Sequence, residues 1–270
     1  MIRILALTGM MLAVCAVAPA QDDPGRIVVP ARNSSRPRVL SVTTTNGSIT
    51  VKTYAGKDVI VEQKDKDAEP GRRRRDNAPE GMHRIDVPER GVVVEEADNN
   101  ITVQDRSPGG ADLVVSVPVD TSLKLNSTNG SIQVNGVHGE IDAGARNGGI
   151  ELLNVSGTVL ADSRNGTIKV TLDHVDPAKP QAFSSVNGTI DVTLPADLKA
   201  SLKMRSSRGS IYSDFDVNVT TGRASTQKNN TPDGKFRVEF DRTVLATING
   251  GGADMTFTTV NGSILLRKKK

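Results

Sequence analysis

Two stretches decide the fold: Ile141-Asp142-Ala143-Gly144-Ala145-Arg146-Asn147-Gly148-Gly149-Ile150-Glu151-Leu152 and, 18 residues later, Val159-Leu160-Ala161-Asp162-Ser163-Arg164-Asn165-Gly166-Thr167-Ile168-Lys169-Val170. Each is a short strand-like run, an Asn-Gly, and a second run that starts on Ile. Alternation with period two sends Ile and Val or Leu to one side and the polar residue to the other, as in a half-buried strand. Asn-Gly is the strongest short turn signal, because both residues tolerate positive φ. The phrase returns at Asn46-Gly47-Ser48-Ile49, Asn129-Gly130-Ser131-Ile132, Asn187-Gly188-Thr189-Ile190 and Asn261-Gly262-Ser263-Ile264. Arg208-Gly209-Ser210-Ile211 is a variant copy, and Asn99-Asn100-Ile101 reads as a worn one. With Asn135 and Asn249 the dipeptide occurs eight times, whereas 17 Asn and 25 Gly in 270 residues predict about 1.6 by chance.

Copies from Asn129 to Arg208 are spaced 18, 18, 22 and 21 residues apart. A near-fixed period of this size marks a solenoid or stacked-strand array. A second short strand precedes each turn, as in Leu123-Lys124-Leu125, so two strands and two turns make one coil. Coils stacked about 4.8 Å apart would align Ile49, Ile132, Ile150, Ile168, Ile190, Ile211 and Ile264 as an internal aliphatic column. The facing outward column would read Thr50, Gln133, Glu151, Lys169, Asp191, Tyr212 and Leu265, a mixed chemistry that reads as solvated surface. An antiparallel sandwich could use the same turns, but its hairpins would flank each Asn-Gly as mirror images. Here the phrase always runs the same way, which favours parallel stacking. The expected fold is all-β, a single-stranded, right-handed β-helix-like solenoid of ~20-residue Asn-Gly-x-Ile repeats.

Residues 1–20 read as a signal peptide: Arg3 is the basic region, Ile4 to Val17 the apolar run, and Ala18-Pro19-Ala20 the small-x-small cleavage site. The apolar run is short for a membrane span, so no transmembrane segment is expected after cleavage. Leu12-Ala13-Val14-Cys15 departs from a lipoprotein box, which wants a small residue before the cysteine, so anchoring at Cys15 is the lesser reading. Residues 21–37 read as a linker or N-terminal cap and 38–266 as the repeat domain. Within that domain, residues 64–90, charged and punctuated by Pro70, Pro79 and Pro88, read as an insertion. Gly222 to Lys235 reads as a protruding polar loop, and residues 267–270 as a basic tail guarding an exposed end of the array.

Composition excludes several classes. One cysteine rules out a disulfide scaffold and a structural zinc site. The absence of Trp, with two Tyr and five Phe, argues against recognition by stacking on bases or sugars. The net charge of +3 becomes +2 once Arg3 is removed. Arg72 to Arg75 and Arg267 to Lys270 supply eight positive charges, so the rest carries 2 − 8 = −6. Basicity confined to one loop and one tail does not make a nucleic-acid face. His83, His138 and His174 lack ligand spacing, Glu95-Glu96-Ala97-Asp98 and Asp65-Lys66-Asp67 lack the spacing of a calcium loop, and no cofactor motif appears.

The nearest approach to catalysis is a β-helix polysaccharide lyase or hydrolase site built from Asp142, Glu151 and Asp162, or from Asp191 near Lys169. Outward acids at this density also arise by chance.

The repeated Asn-Gly-x-Ile-x-Val phrase, with its preceding short strands and signal peptide, resembles the bacterial putative-adhesin family, an exported β-strand-repeat domain of unknown function. The resemblance covers about residues 38–266 and is strongest from Leu123 to Leu194; Gly81-Met82-His83-Arg84-Ile85-Asp86 also looks like a family feature. It implies architecture and carries no catalytic residues to map. The expectation is therefore an exported, non-enzymatic adhesin-like or structural module of the bacterial envelope or surface. Its partner would be a surface ligand, a polysaccharide or another envelope protein. The alternatives are a carbohydrate-active enzyme and a self-assembling envelope scaffold.

Overall fold

The structure, a computed structural model, describes residues 25–33, 36–64, 91–107, 109–220, 226–230, 236–240 and 243–270. The signal peptide, Cys15, His83 and the arginine loop lie outside these residues, as does the 64–90 insertion apart from Lys64. The described residues begin with β1 (Arg26–Val29), β2 (Val39–Asn46), β3 (Ile49–Thr53) and β4 (Val59–Lys64), and go on with β5 (Val92–Ala97), β6 (Asn100–Asp105) and β7 (Asp112–Val117). Four strand pairs follow: β8 (Ser122–Asn129) with β9 (Ile132–Asn135), β10 (Ile141–Asn147) with β11 (Ile150–Ser156), β12 (Val159–Asn165) with β13 (Ile168–His174), and β14 (Gln181–Asn187) with β15 (Ile190–Leu194). The last group is β16 (Ala200–Ser206), β17 (Ile211–Ser213), β18 (Val217–Thr220), β19 (Thr226–Asn230), β20 (Phe236–Phe240), β21 (Thr243–Ile248), β22 (Ala253–Asn261) and β23 (Ile264–Lys268). The segment expected as a polar loop after Gly222 contains β19, which pairs antiparallel with β20 as a hairpin.

The strand before each of the six Asn-Gly-x-Ile phrases lies in an 11-stranded sheet and the strand after it in a 10-stranded sheet, so each of these corners turns the chain from one sheet to the other. Central strands pair in parallel and in register: Ile132 opposite Ile150, Ile150 opposite Ile168, Ile168 opposite Ile190. The aliphatic column forms with each of these isoleucines at most 1% exposed, but Ile264 rather than Ile211 follows Ile190, and Ile211 at its end is only half-buried. Burying each contributes about 1.5–3 kcal/mol relative to exposure, and the two inner faces share one hydrophobic core. Successive members of one inner register column of the 11-stranded sheet complement one another in size. Ala143 and Ala161 leave room beside Phe183, whose ring stacks on Phe257 with centroids 5.2 Å apart. Gln181, 1% exposed, replaces an aliphatic residue at the start of β14. Its Oε1 accepts from the Val159 N–H at 2.7 Å and its Nε2 donates to the Gly157 carbonyl at 2.9 Å, so the buried amide is satisfied by backbone.

Coils do not stack in chain order. Their spatial sequence is β6–β7, β2–β3, β8–β9, β10–β11, β12–β13, β14–β15, β22–β23 and β16–β17. At both ends the chain inserts one coil inside its neighbour. Asn99-Asn100-Ile101 is therefore no copy of the turn, because Ile101 pairs with Leu40 near the start of two strands of the 11-stranded sheet. The turn of that coil is the longer Asp105–Asp112 connection. There the Asp105 carboxylate accepts from Ser107 N, Ala111 N and the Thr44 hydroxyl.

Antiparallel strands close the array. β5 covers β6, β4 covers β7 and β1 lies on β4; at the far end β21 covers β16 and β18 lies on β21. The basic tail is not an end guard. It continues β23, an interior strand between β15 and β17, where Arg267 Nε donates to Asp191 at 2.7 Å and Lys269 Nζ to Asp173 at 2.8 Å. Hydrogen bonding to Asp191 and its charge raise the Arg267 pKa above the usual arginine value. Among the described residues no helix is long and apolar enough to cross a membrane.

Candidate functional site

The most regular polar feature is the corner. Six asparagines form an amide ladder in which each side-chain N–H donates to the carbonyl oxygen of the next: Asn129 to Asn46, Asn147 to Asn129, Asn165 to Asn147, Asn187 to Asn165 and Asn261 to Asn187, all at 2.7–2.9 Å. Arg208 ends the ladder by donating to Asn261 at 3.2 Å, which explains the variant copy. Just inside runs a buried hydroxyl column. Ser127, Ser163, Ser185, Thr259 and Ser206 each donate to a glycine carbonyl of the adjacent coil. Ala145 is the member of this column that lacks a hydroxyl.

The glycines of these corners do not adopt the left-handed region. Within the eight Asn-Gly pairs positive φ occurs at Gly136, Asn249 and Gly250 but at none of the six ladder pairs. Glycine is needed there for close approach. A Cβ on Gly148 would collide with the Gly130 carbonyl oxygen, and one on Gly166 with that of Gly148. The corner repeat thus holds the coils together through its side-chain amides, hydroxyls and bare glycine backbone.

The three acids Asp142, Glu151 and Asp162 are not assembled, whereas Lys169 and Asp191 stand opposite each other on adjacent strands. Asp142 and Asp162 project from the outer face of the 11-stranded sheet, while Glu151 projects from the outer face of the other sheet. Packed sheets lie about 10 Å apart, so these acids cannot converge on one bond. Glu151 is paired with Lys169 at 3.0 Å, and the partner of Asp191 is Arg267 rather than Lys169. His138 and His174 are exposed and separate. Among the described residues no group of three His, Cys, Asp or Glu side chains comes together as a metal site. Glu96 of the 95–98 acidic cluster is paired with Arg32 at 3.0 Å; the 65–67 cluster lies outside the described residues.

Two concavities are more informative. One, of about 230 Å³, is lined by residues including Ala31, Arg38, Lys57 and Thr121. The Arg38 guanidinium there donates to the Lys57 and Pro30 carbonyls at 2.8 Å each, tying the N-terminal segment to the first coils. The other is an open groove of about 400 Å³ on the outer face of the 11-stranded sheet. Its floor is the register column Thr43, Asn126, Gly144, Asp162, and its rim is Thr128, Arg146 and Arg164. Gly144 makes the depression, since its neighbours in the column all carry side chains. The composition argument pointed away from stacked sugars and the catalytic search found Asp162. The place of Gly144 in mid-strand is the sequence signal for the groove.

Among solved structures, a putative cell adhesion protein from Clostridium sporogenes ATCC 15579 is similar at 10% identity, covering 90% of this chain and 99% of that one, with a TM-score of 0.44. A putative adhesin from Bacteroides fragilis NCTC 9343 is similar at 11% identity, covering 90% and 97%, with a TM-score of 0.37. No curated protein matches the sequence. The family match begins at Ile27, inside the stretch read as a linker, and stops before the last inserted coil. Residues 27–242 match Toastrack DUF4097, and the chain belongs to that family.

Proposed function

We propose that this chain is an exported, non-enzymatic adhesin-like or structural module of the bacterial envelope or surface, wound as a right-handed β-solenoid. The observation that carries the reading is the division of labour across the coils. Interior and corner groups are consumed by stacking, while the two outer faces offer broad arrays of short polar and charged side chains. Such a surface suits attachment. The separation of Asp142 and Asp162 from Glu151 by the thickness of the molecule supports a non-enzymatic role. The N-terminal pattern ending at Ala20 supports export.

A glycan and matrix-protein array probed with residues 21–270 tests it. Retention of at least one envelope or surface polymer without its turnover is the expected result. Cleavage of a uronate polymer, abolished by substituting Asp142, Glu151 or Asp162, would overturn it.

A further inference from the structure

We propose that the Gly144 groove is a subsite for a uronate-bearing glycan, a sugar that presents a carboxylate beside vicinal hydroxyls. This deepens the attachment reading and rests on it.

The groove is built by a local departure from the repeat. In neighbouring coils the position of Gly144 is held by Asn126 and Asp162, and that of Ala145 by Ser127 and Ser163. Coil β10–β11 has both side chains shortened at once. The glycine is not demanded by the backbone. Gly144 has no left-handed φ, and a Cβ there would meet only the end of the Asn126 side chain, at 2.9 Å. What the glycine supplies is therefore space.

The groups around that space are unspent. Among the described residues Arg146, Arg164, Asp162 and Asn126 make no ion pair and no side-chain hydrogen bond, unlike the charged residues Glu151, Lys169, Asp191 and Arg267 on the opposite face. Ala145 pairs with Ser163 and Asn147 with Asn165, so Arg146 and Arg164 stand side by side on adjacent strands, about 5 Å apart. Like charges facing across a ladder repel, and a carboxylate placed between two guanidiniums relieves this with charge-assisted hydrogen bonds. Below them Asp162 accepts from hydroxyls, Asn126 both donates and accepts, and Thr43 and Thr128 offer hydroxyls of their own. A cationic pair over a neutral and acidic floor suits a hydroxylated acid better than a plain polyanion, because the Asp162 carboxylate needs hydroxyl donors that a plain polyanion does not supply. No aromatic residue lines the groove, so binding depends on charge and hydrogen bonds and weakens with salt.

Calorimetry on residues 21–270 tests the assignment with three probes: oligogalacturonate, an uncharged galactose oligomer and poly-glutamate of matched length. Oligogalacturonate should bind, and the neutral oligomer and poly-glutamate should bind at least about tenfold more weakly. R146A/R164A should weaken oligogalacturonate about tenfold or more. Gly144→Val keeps both arginines and suits a strand, yet fills the groove; it should lose the same binding while melting no lower than the parent. Absence of oligogalacturonate binding, equal binding of poly-glutamate, or indifference to Gly144→Val would each overturn the assignment. If the array finds a ligand that ignores both variants, the groove assignment falls and the attachment reading stands. If oligogalacturonate binds in the groove and is also cleaved, the groove stands and the non-enzymatic reading falls.

Discussion

The Asn147 side-chain amide donates to the Asn129 carbonyl oxygen at 2.8 Å while its own carbonyl oxygen accepts from Asn165 at 2.9 Å. This two-sided relation repeats along the corner, so each inner asparagine clamps two coils. Asn147→Ala removes both bonds where water can replace them in part, and should cost about 1 kcal/mol. Asn135 accepts one longer bond, 3.3 Å from Asn154, so Asn135→Ala should stay within about 0.5 kcal/mol. Urea denaturation of the two variants beside the parent checks the ranking. Equal midpoints would show that the ladder is an ornament of the turns.

The same geometry governs chemical ageing. Deamidation of Asn-Gly needs the glycine nitrogen to attack the asparagine Cγ, expelling ammonia and closing a succinimide that water then opens. At the ladder corners the attacking nitrogen is engaged, as Gly148 N donates to Asn165 O and Gly166 N to Asn187 O, both at 3.1 Å. Asn249-Gly250 lies outside the ladder at left-handed φ, with open space around Gly250. Peptide mapping of the aged folded protein should find Asp and isoAsp first at position 249. Equal conversion at Asn147 and Asn165 would refute the protection argument.

Close approach at the corner separates glycines that look alike in sequence. Gly166→Ala forces a methyl group into the Gly148 carbonyl, a backbone atom that cannot swing aside, and should cost about 3 kcal/mol or more. Gly144→Ala meets only a flexible amide and should be neutral or gain about 0.5–1 kcal/mol from lower unfolded-state freedom. Thermal melts of both variants decide this. A mild Gly166→Ala would mean that the coils can part without loss.

How far the sequence could be read follows from what a repeat encodes. Alternation around Ile132, Ile150 and Ile168 reports which side chains are inward, because period two is a local property, and the buried column followed from it. The reason for Gly148 and Gly166 was misjudged, since a turn needing positive φ and a corner needing a bare backbone both select glycine. Coil order was not legible at all. Asn187-Gly188-Thr189-Ile190 and Asn261-Gly262-Ser263-Ile264 are nearly the same phrase, and nothing local says which coil each should touch. The groove was legible as a departure, Gly144-Ala145 where other coils carry larger residues, but its meaning required the register that places Arg146 beside Arg164.

The inserted coil makes a long-range claim that energetics can check. Stacking in chain order would set β16 beside β14 and leave Met204 against Phe183. Here β22 intervenes, so Phe257 stacks on Phe183 with an interplanar angle of 19°, and Met204 pairs with Phe257. Both rings are at most 1% exposed, so Phe183→Ala and Phe257→Ala should each cost about 3–5 kcal/mol. The double variant should fall short of the sum by about 0.5–1.5 kcal/mol, the usual coupling of a stacked aromatic pair. If both single variants unfold the protein, the milder Phe→Leu pair supports the same cycle. Phe183 and Met204 lie two coils apart with Phe257 between them, so their cycle should show the smaller coupling. Strong coupling of Phe183 to Met204, with none to Phe257, would restore chain-order stacking and refute the inserted coil.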